Sequence, residues 1–452
     1  MPEAILARPW RPDSWRDQPA LQLPPYPDQG AVEDVVRQLR TRPPLVTSWE
    51  VDTLKQHLAE AAAGRRFLLQ GGDCAERFDE CLPDVITNRL KVLLQMSLVL
   101  IHGLRLPVIR VGRFAGQYAK PRSADLELVG GAMMPSYRGD IVNGPEPNLE
   151  ARTPDPRRML EAYGVSAMSL NFMRALVDGG FADLRHPENW DLGFVRNDGL
   201  RKEYQALVDS ILSALRFMAT VSGGSAAAAG LERVDMFTSH EALLLPYEQA
   251  LTRRVQNRTG TYNLGTHFPW IGLRTSEPDG AHVEYARGLA NPIGLKVGTD
   301  TQPSTLRTLV RVLNPHCEPG RLTLITRFGA SKVESCLPKI IEAVQAEGRP
   351  VLWSCDPMHG NTETTDAGLK TRRFESIRTE LELAFGIHEA HRSTLGGVHL
   401  ELTGENVTEC VGGAGGLAES DLTRAYKSQV DPRLNAEQAL EMAFAIVRKR
   451  HT

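Results

Sequence analysis

The chain has 452 residues, 42% hydrophobic and 24% charged, and 52 basic against 55 acidic side chains leave a formal net charge of −3. Such a composition excludes a fibrous or wholly disordered chain, and near-neutrality removes any whole-molecule attraction for nucleic acid. A single core usually stops growing near ~250 residues, so the length calls for two domains or one barrel with large additions.

Residues 1–62 are rich in Pro, Trp and Arg and read as an N-terminal extension packed on the rest, with helix-compatible stretches at 31–40 and 52–63. The first residues contain no basic segment followed by an apolar run. The longest apolar stretch, near 92–101, is interrupted by Gln95 and Ser97 and is too short to span a bilayer. The expectation is a cytoplasmic enzyme with no membrane or nucleic-acid partner.

From residue 63 onward, β-rich runs alternate with helix-compatible segments, the pattern of a parallel α/β sheet. Strands are expected at 67–70, 107–111, 234–239, 262–266, 294–297, 322–326, 351–354 and 398–402. Helices are expected at 84–103, 304–313, 331–346, 373–391 and 435–448, the last opened by Asn435 as N-cap and closed by basic residues. Eight strands feeding helices predict an α/β fold, a (β/α)8 TIM barrel over 63–452. Between the second and third strands lies a long segment, read as a helical insertion over about 130–232, because a structureless loop of that length does not suit a compact domain. It holds helical stretches at 166–178 and 200–218, with Trp190 between them and the run SGGSAAAAG after them.

In such a barrel, catalytic groups come from the C-terminal ends of the strands and the loops beyond. One set of residues there can ligate metal: Cys74 in GGDC, His359 in DPMHG, Glu401 in HLELTG and Asp431 in DPRLN. A thiolate, an imidazole and two carboxylates suit a divalent transition metal better than Mg²⁺. Singly, each has a plainer reading: Cys74 as a small core residue, His359 as a turn or cap, Asp431 before Pro432 as a turn former. Glu401 resists one. It shares a strand face with His399, and a bare inward carboxylate is costly without a cation.

The second set is cationic: Arg113, Lys120, Arg122, Arg274, Lys296 and Arg327. Guanidinium forks and ammonium groups gathered at one barrel mouth would make an anion site in a neutral protein. Surface exposure explains a lone cation but sits poorly with Lys296 and Arg327, which lie in the apolar runs GLKVG and LTLITRFG. The six cysteines (Cys74, Cys81, Cys317, Cys336, Cys355, Cys410) show no CxxC spacing, and no P-loop or GxGxxG fingerprint is present. Glu409 and Cys410 in ENVTEC read as structural.

Together, QGGDCAE, RVGRFAGQYAKPRS, SYRGD, SHEALLL, ANPIGLKVG, TRFGA, DPMHGNT, GGVHLELTGENVTECVGG and DPRLN, in this order, resemble the type II 3-deoxy-D-arabino-heptulosonate 7-phosphate (DAHP) synthases over essentially the whole chain. The resemblance implies condensation of phosphoenolpyruvate with erythrose 4-phosphate, the entry to the shikimate pathway. It implies a divalent metal, Mn²⁺ or Co²⁺ first and Zn²⁺, Fe²⁺ or Cd²⁺ as further options, on Cys74, His359, Glu401 and Asp431. Phosphoenolpyruvate would meet Arg113, Lys120, Arg274, Lys296 and Arg327, and erythrose 4-phosphate would meet Lys120, Arg122 and Ser123. Lys120, Cys74 and His359 are the expected catalytic residues, with His399 tuning Glu401.

One departure stands out: typical members carry Glu in WIGERT where this chain has Leu273. That keeps two alternatives open, a related synthase of secondary metabolism, of phenazine or amino-shikimate type, using the same or an amino-substituted sugar phosphate, and a non-catalytic regulatory paralogue. A metal-dependent hydrolase on the same barrel would want more His ligands and fewer cations. The insertion, with Met168, Leu170, Phe172, Met173 and Leu176 as an apolar face, suggests a homo-oligomer, dimer or tetramer, and aromatic amino-acid effectors.

Overall fold

The computed structural model describes residues 2–183, 193–221 and 234–451. Eight parallel strands close a barrel in chain order: β1 (Phe67–Gly72), β2 (Val108–Arg113), β3 (Met236–Glu241), β4 (Phe268–Ile271), β5 (Ile293–Gly298), β6 (Leu322–Arg327), β7 (Leu352–Cys355) and β8 (Leu395–Glu401). This is the expected (β/α)8 architecture. Among the helices are α1 (Gln29–Arg40), α2 (Ser48–Ala62), α3 (Pro83–Leu104), α4 (Arg158–Asp178), α5 (Asp198–Val221), α6 (Pro303–Leu313), α7 (Val333–Gln345), α8 (Phe374–Ala390) and α9 (Ala436–His451). Asn435 caps α9 as expected, its Oδ1 accepting from Gln438 N at 2.9 Å.

The fourth strand corrects the sequence reading. Thr261–Asn263 does not enter the barrel; it pairs antiparallel with Thr252–Arg254, and Phe268–Ile271 takes the barrel place between β3 and β5. Pro269 makes FPWI a poor strand by pattern, since proline donates nothing to a ladder. Packing overrides this: Phe268 enters the barrel core, while Asn263 is held outside by Glu248 and Tyr285.

Alternation along each strand sorts the interior into layers. At the N-terminal end Leu68, Ile109, Phe237, Phe268 and Leu352 meet Leu54, Leu58 and Ala61 of α2. These three α2 residues recur at helical spacing, so one face of α2 closes the bottom of the barrel. Its first turn is held by a capping box between Thr47 and Glu50. Two positions further up, the inward residues of β1 and β3 turn polar, Gln70 Nε2 donating to Ser239 Oγ at 3.0 Å, while Val111 on β2 stays apolar. The last inward positions are Arg113, Glu241, Trp270, Lys296, Arg327 and Glu401.

α3 is long and apolar enough to cross a membrane by composition, but 67% of its most apolar window is buried inside the fold. It packs on α9, where Gly103 lies so close to Val447 that a Cβ would fall 2.3 Å from it. Between β2 and β3 the chain forms a hairpin (Leu126–Val129 with Ala132–Pro135), then α4 and α5. Helix α4 starts eight residues before the expected 166, at Arg158. Leu170 and Met173 are buried in the core, and Met168 is exposed. Trp190 and the SGGSAAAAG run lie outside the described residues.

Candidate active site

The C-terminal mouth of the barrel opens into a cavity of about 850 Å³. Arg113, Lys120, Arg274, Lys296 and Arg327 line it together with His359 and Asp431. Strand register explains the convergence, because Gly72 at the end of β1 lies opposite Arg113 on one side and Glu401 on the other. Gly72 has φ +145°, and a Cβ there would meet the Arg113 carbonyl oxygen at 2.8 Å, so only glycine permits this approach.

Cys74, Glu401 and Asp431 present donor atoms that all lie within 4.8 Å of one another. His359 joins them from the loop after β7, its Nε2 lying 3.0 Å from Glu401 Oε1. Lys120 Nζ stands among the donors, 2.7 Å from Cys74 Sγ, 2.8 Å from Asp431 Oδ2 and 3.6 Å from Glu401 Oε1. The buried donors are therefore arranged around positive charge, and the set of thiol, imidazole and carboxylates fits a divalent transition metal. Burial, and then the Glu401 charge, push the Cys74 thiol far above its ordinary range. Burial likewise draws the His359 imidazole down against Asp356 and Glu401, toward the neutral form that ligates. Burial alone would raise the Glu401 carboxyl, yet His359, Lys120, Arg372 and Arg113 hold it well below the usual carboxylate range.

The cations are individually anchored. Arg113 Nη2 donates to Glu401 Oε1 at 2.9 Å, Nη1 donates to His399 Nε2 at 2.7 Å, and the guanidinium carbon lies 5.2 Å from the centre of the Trp270 ring. His399 therefore orients Arg113, and no hydrogen bond joins it to Glu401 among the described residues. Lys296 bonds Asp356, Arg327 Nη2 donates to the His359 carbonyl at 3.1 Å, and Arg274 Nη2 donates to Ser123 Oγ at 2.9 Å. Burial, then Arg113 and Arg327, pull the Lys296 ammonium down to about 8 although Asp356 opposes them. Arg122 is not brought to the cavity wall; its guanidinium pairs with Glu127.

Residues 10–447 match the class-II DAHP synthetase family. The chain is 50% identical to the phospho-2-dehydro-3-deoxyheptonate aldolase of Neurospora crassa, covering 97% of this chain and 93% of that protein. It is 46% identical to the enzyme of that name from Streptomyces coelicolor, over 96% of each chain. It is also 44% identical to phospho-2-dehydro-3-deoxyheptonate aldolase AroG of Mycolicibacterium smegmatis, over 96% of this chain and 94% of that one. The chain belongs to the class-II DAHP synthetase family.

Several residues that hold this DAHP synthetase site together escape the motif reading. Asp356 Oδ2 accepts from His359 Nδ1 at 2.7 Å and also bonds Lys296. Arg372, fully buried, donates to Glu401 Oε2 at 2.7 Å. Glu76 accepts from the backbone N–H groups of Ala115, Gly116 and Gln117 at 2.9–3.0 Å, shaping the loop that delivers Lys120. Arg433 joins Glu409 to Asp73, so the turn bearing Asp431 is tied to the residue beside Cys74. Glu409 is structural, as read, and its structure serves the site. Glu241 differs from all of these: its Oε1 is buried with no hydrogen-bond partner among the described residues, and burial raises its carboxyl despite Lys120, Lys296, Arg113 and Arg274. SHEALLL carried Glu241 in plain view, but nothing in the pattern says which of its residues faces the mouth. Leu273 is half-buried on the cavity wall, packed against Gly298.

Proposed function

We infer that this chain condenses phosphoenolpyruvate with erythrose 4-phosphate and water to give DAHP and inorganic phosphate. The observation that carries the reading is one cavity whose wall holds His359 and Asp431 beside Arg113, Lys120, Lys296 and Arg327. Two phosphorylated substrates need such a cation row, and an aldehyde electrophile needs the donor set.

In this reading Cys74, His359, Glu401 and Asp431 hold a divalent metal, Mn²⁺ or Co²⁺, which when bound supplies Lewis-acid polarisation of the aldehyde. Arg113, Lys120, Arg274, Lys296 and Arg327 grip the carboxylate and phosphate of phosphoenolpyruvate, bringing its C3 within reach of the aldehyde carbon. Lys120 and Ser123 face erythrose 4-phosphate, and Arg122 supports that segment through Glu127. As the carbon–carbon bond forms, Lys120 gives a proton to the new alkoxide; Asp431, Cys74 and Glu401 outweigh burial and keep its ammonium charged. Water then bonds to C2 and passes a proton to Glu241. The C2–O bond breaks, and phosphate leaves with the electron pair. Of the two water protons, one ends on phosphate and the other replaces the one Lys120 gave.

We place the enzyme in the cytoplasm as a homo-oligomer answering to aromatic amino acids, and sedimentation with activity titrated against each amino acid tests this. The activity itself is tested by phosphate release with both substrates. Chelation abolishes it and Mn²⁺ or Co²⁺ restores it; undiminished release after metal removal overturns the reading. Running the assay with an amino-substituted sugar phosphate decides whether Leu273 marks a different aldehyde.

A further inference from the structure

The β7 loop carries one carboxylate with two unlike partners. Asp356 is fully buried, its Oδ2 accepts from His359 Nδ1 at 2.7 Å, and the same oxygen bonds Lys296 Nζ across from β5. Its Oδ1 accepts from the backbone N–H groups of Met358 at 3.0 Å and His359 at 3.2 Å, so neither oxygen is free to turn. The first contact keeps the imidazole proton on Nδ1 and points the Nε2 lone pair at the Cys74, Glu401 and Asp431 group, the arrangement that orients ligating histidines. The second contact holds a cation that lines the substrate cavity.

We propose that Asp356 is a positioning residue that couples the two halves of the site, so that phosphoenolpyruvate in the cavity and the metal at His359 bind cooperatively. The proposal rests on the function inferred above. One carboxylate divides its charge between an ammonium and an imidazole N–H. When the anion draws Lys296 away, the full carboxylate charge falls on His359 and strengthens its Nε2 as a donor to a cation. The coupling is reciprocal, so metal must tighten phosphoenolpyruvate by the same factor.

The test is a Co²⁺ titration of the metal-free full-length protein, followed by the thiolate-to-cobalt absorption band, with and without saturating phosphoenolpyruvate. In the wild type, phosphoenolpyruvate tightens Co²⁺ by a factor within the ~5–150-fold range of typical site couplings. In Asp356→Asn, Co²⁺ affinity falls about 10–100-fold and phosphoenolpyruvate no longer alters it. Lys296→Gln removes the ammonium that shares Asp356, so its Co²⁺ affinity without phosphoenolpyruvate rises toward the value the wild type reaches with it and phosphoenolpyruvate adds no further shift; this variant carries the test if Asp356→Asn does not fold. A wild type without the shift, or either variant retaining it, overturns the proposal. A band that is missing, or unchanged in Cys74→Ser, overturns the metal site itself and the coupling with it, which separates the two failures.

Discussion

The two ends of the barrel are built from the same eight strands and differ in almost every physical respect. At the N-terminal end, Leu68, Ile109, Phe237, Phe268 and Leu352 close on Leu54, Leu58 and Ala61 of α2. At the C-terminal end, two positions or more further along the same inward faces, stand Arg113, Glu241, Lys296 and Glu401, around a cavity of about 850 Å³. One end removes apolar surface from water; the other holds charges that are costly to bury and are tolerated because each, Glu241 excepted, has a fixed partner. The comparison teaches that stability and chemistry have been separated along the barrel axis, so each end is open to attack without the other.

The largest effect belongs to the charged end. Cys74→Ala removes the thiolate from the donor set, and losing Lewis-acid assistance of several kcal/mol lowers kcat/KM on the order of 10³-fold. The melting temperature should stay near wild type; a collapse of folding would mean that the two ends are not separable. Next comes the apolar end, where Leu58→Ala leaves a cavity under the barrel and costs about 2–5 kcal/mol in denaturant unfolding. KM for both substrates stays unchanged at 25 °C, and a raised KM would show strain passing up the barrel. The smallest effect sharpens the comparison by pH. Lys296 sits at about 8, below its ordinary 10.5. Its ammonium is thus present below pH 8 and lost above it, so kcat/KM for phosphoenolpyruvate falls up to about tenfold per pH unit above that point. A flat profile from pH 7 to pH 9.5 would remove Lys296 from the phosphate grip.

Much of this layout is legible in the sequence. Glu401 announced itself by sharing a strand face with His399, and Lys296 by lying inside an apolar run. The fourth strand is not legible, because Pro269 spoils its pattern and Thr261–Asn263, a strand of a separate antiparallel pair, has the pattern of a barrel strand. Nor was the role of α2: the spacing of Leu54, Leu58 and Ala61 predicts an apolar helix face but is silent about what it covers. The charge of Arg122 marks it as a candidate substrate cation, and nothing in the pattern says that Glu127, five residues on, pairs with its guanidinium. Sharing a strand face with Glu401 makes His399 look like its partner, whereas its Nε2 accepts from Arg113 on the far side of β1.

By itself the sequence determined the class of fold, the donor types and the sign of the site. These follow from periodicity and residue chemistry, which are local. Tertiary structure alone decided which groups share a proton or a charge: Asp356 between His359 and Lys296, Arg433 between Asp73 and Glu409, Lys120 among Cys74, Asp431 and Glu401. Their separations in sequence run from three residues to 360, and hydrogen bonds and ion pairs act over only a few ångströms. Pattern along a chain cannot report such pairings until barrel closure brings the strand ends together.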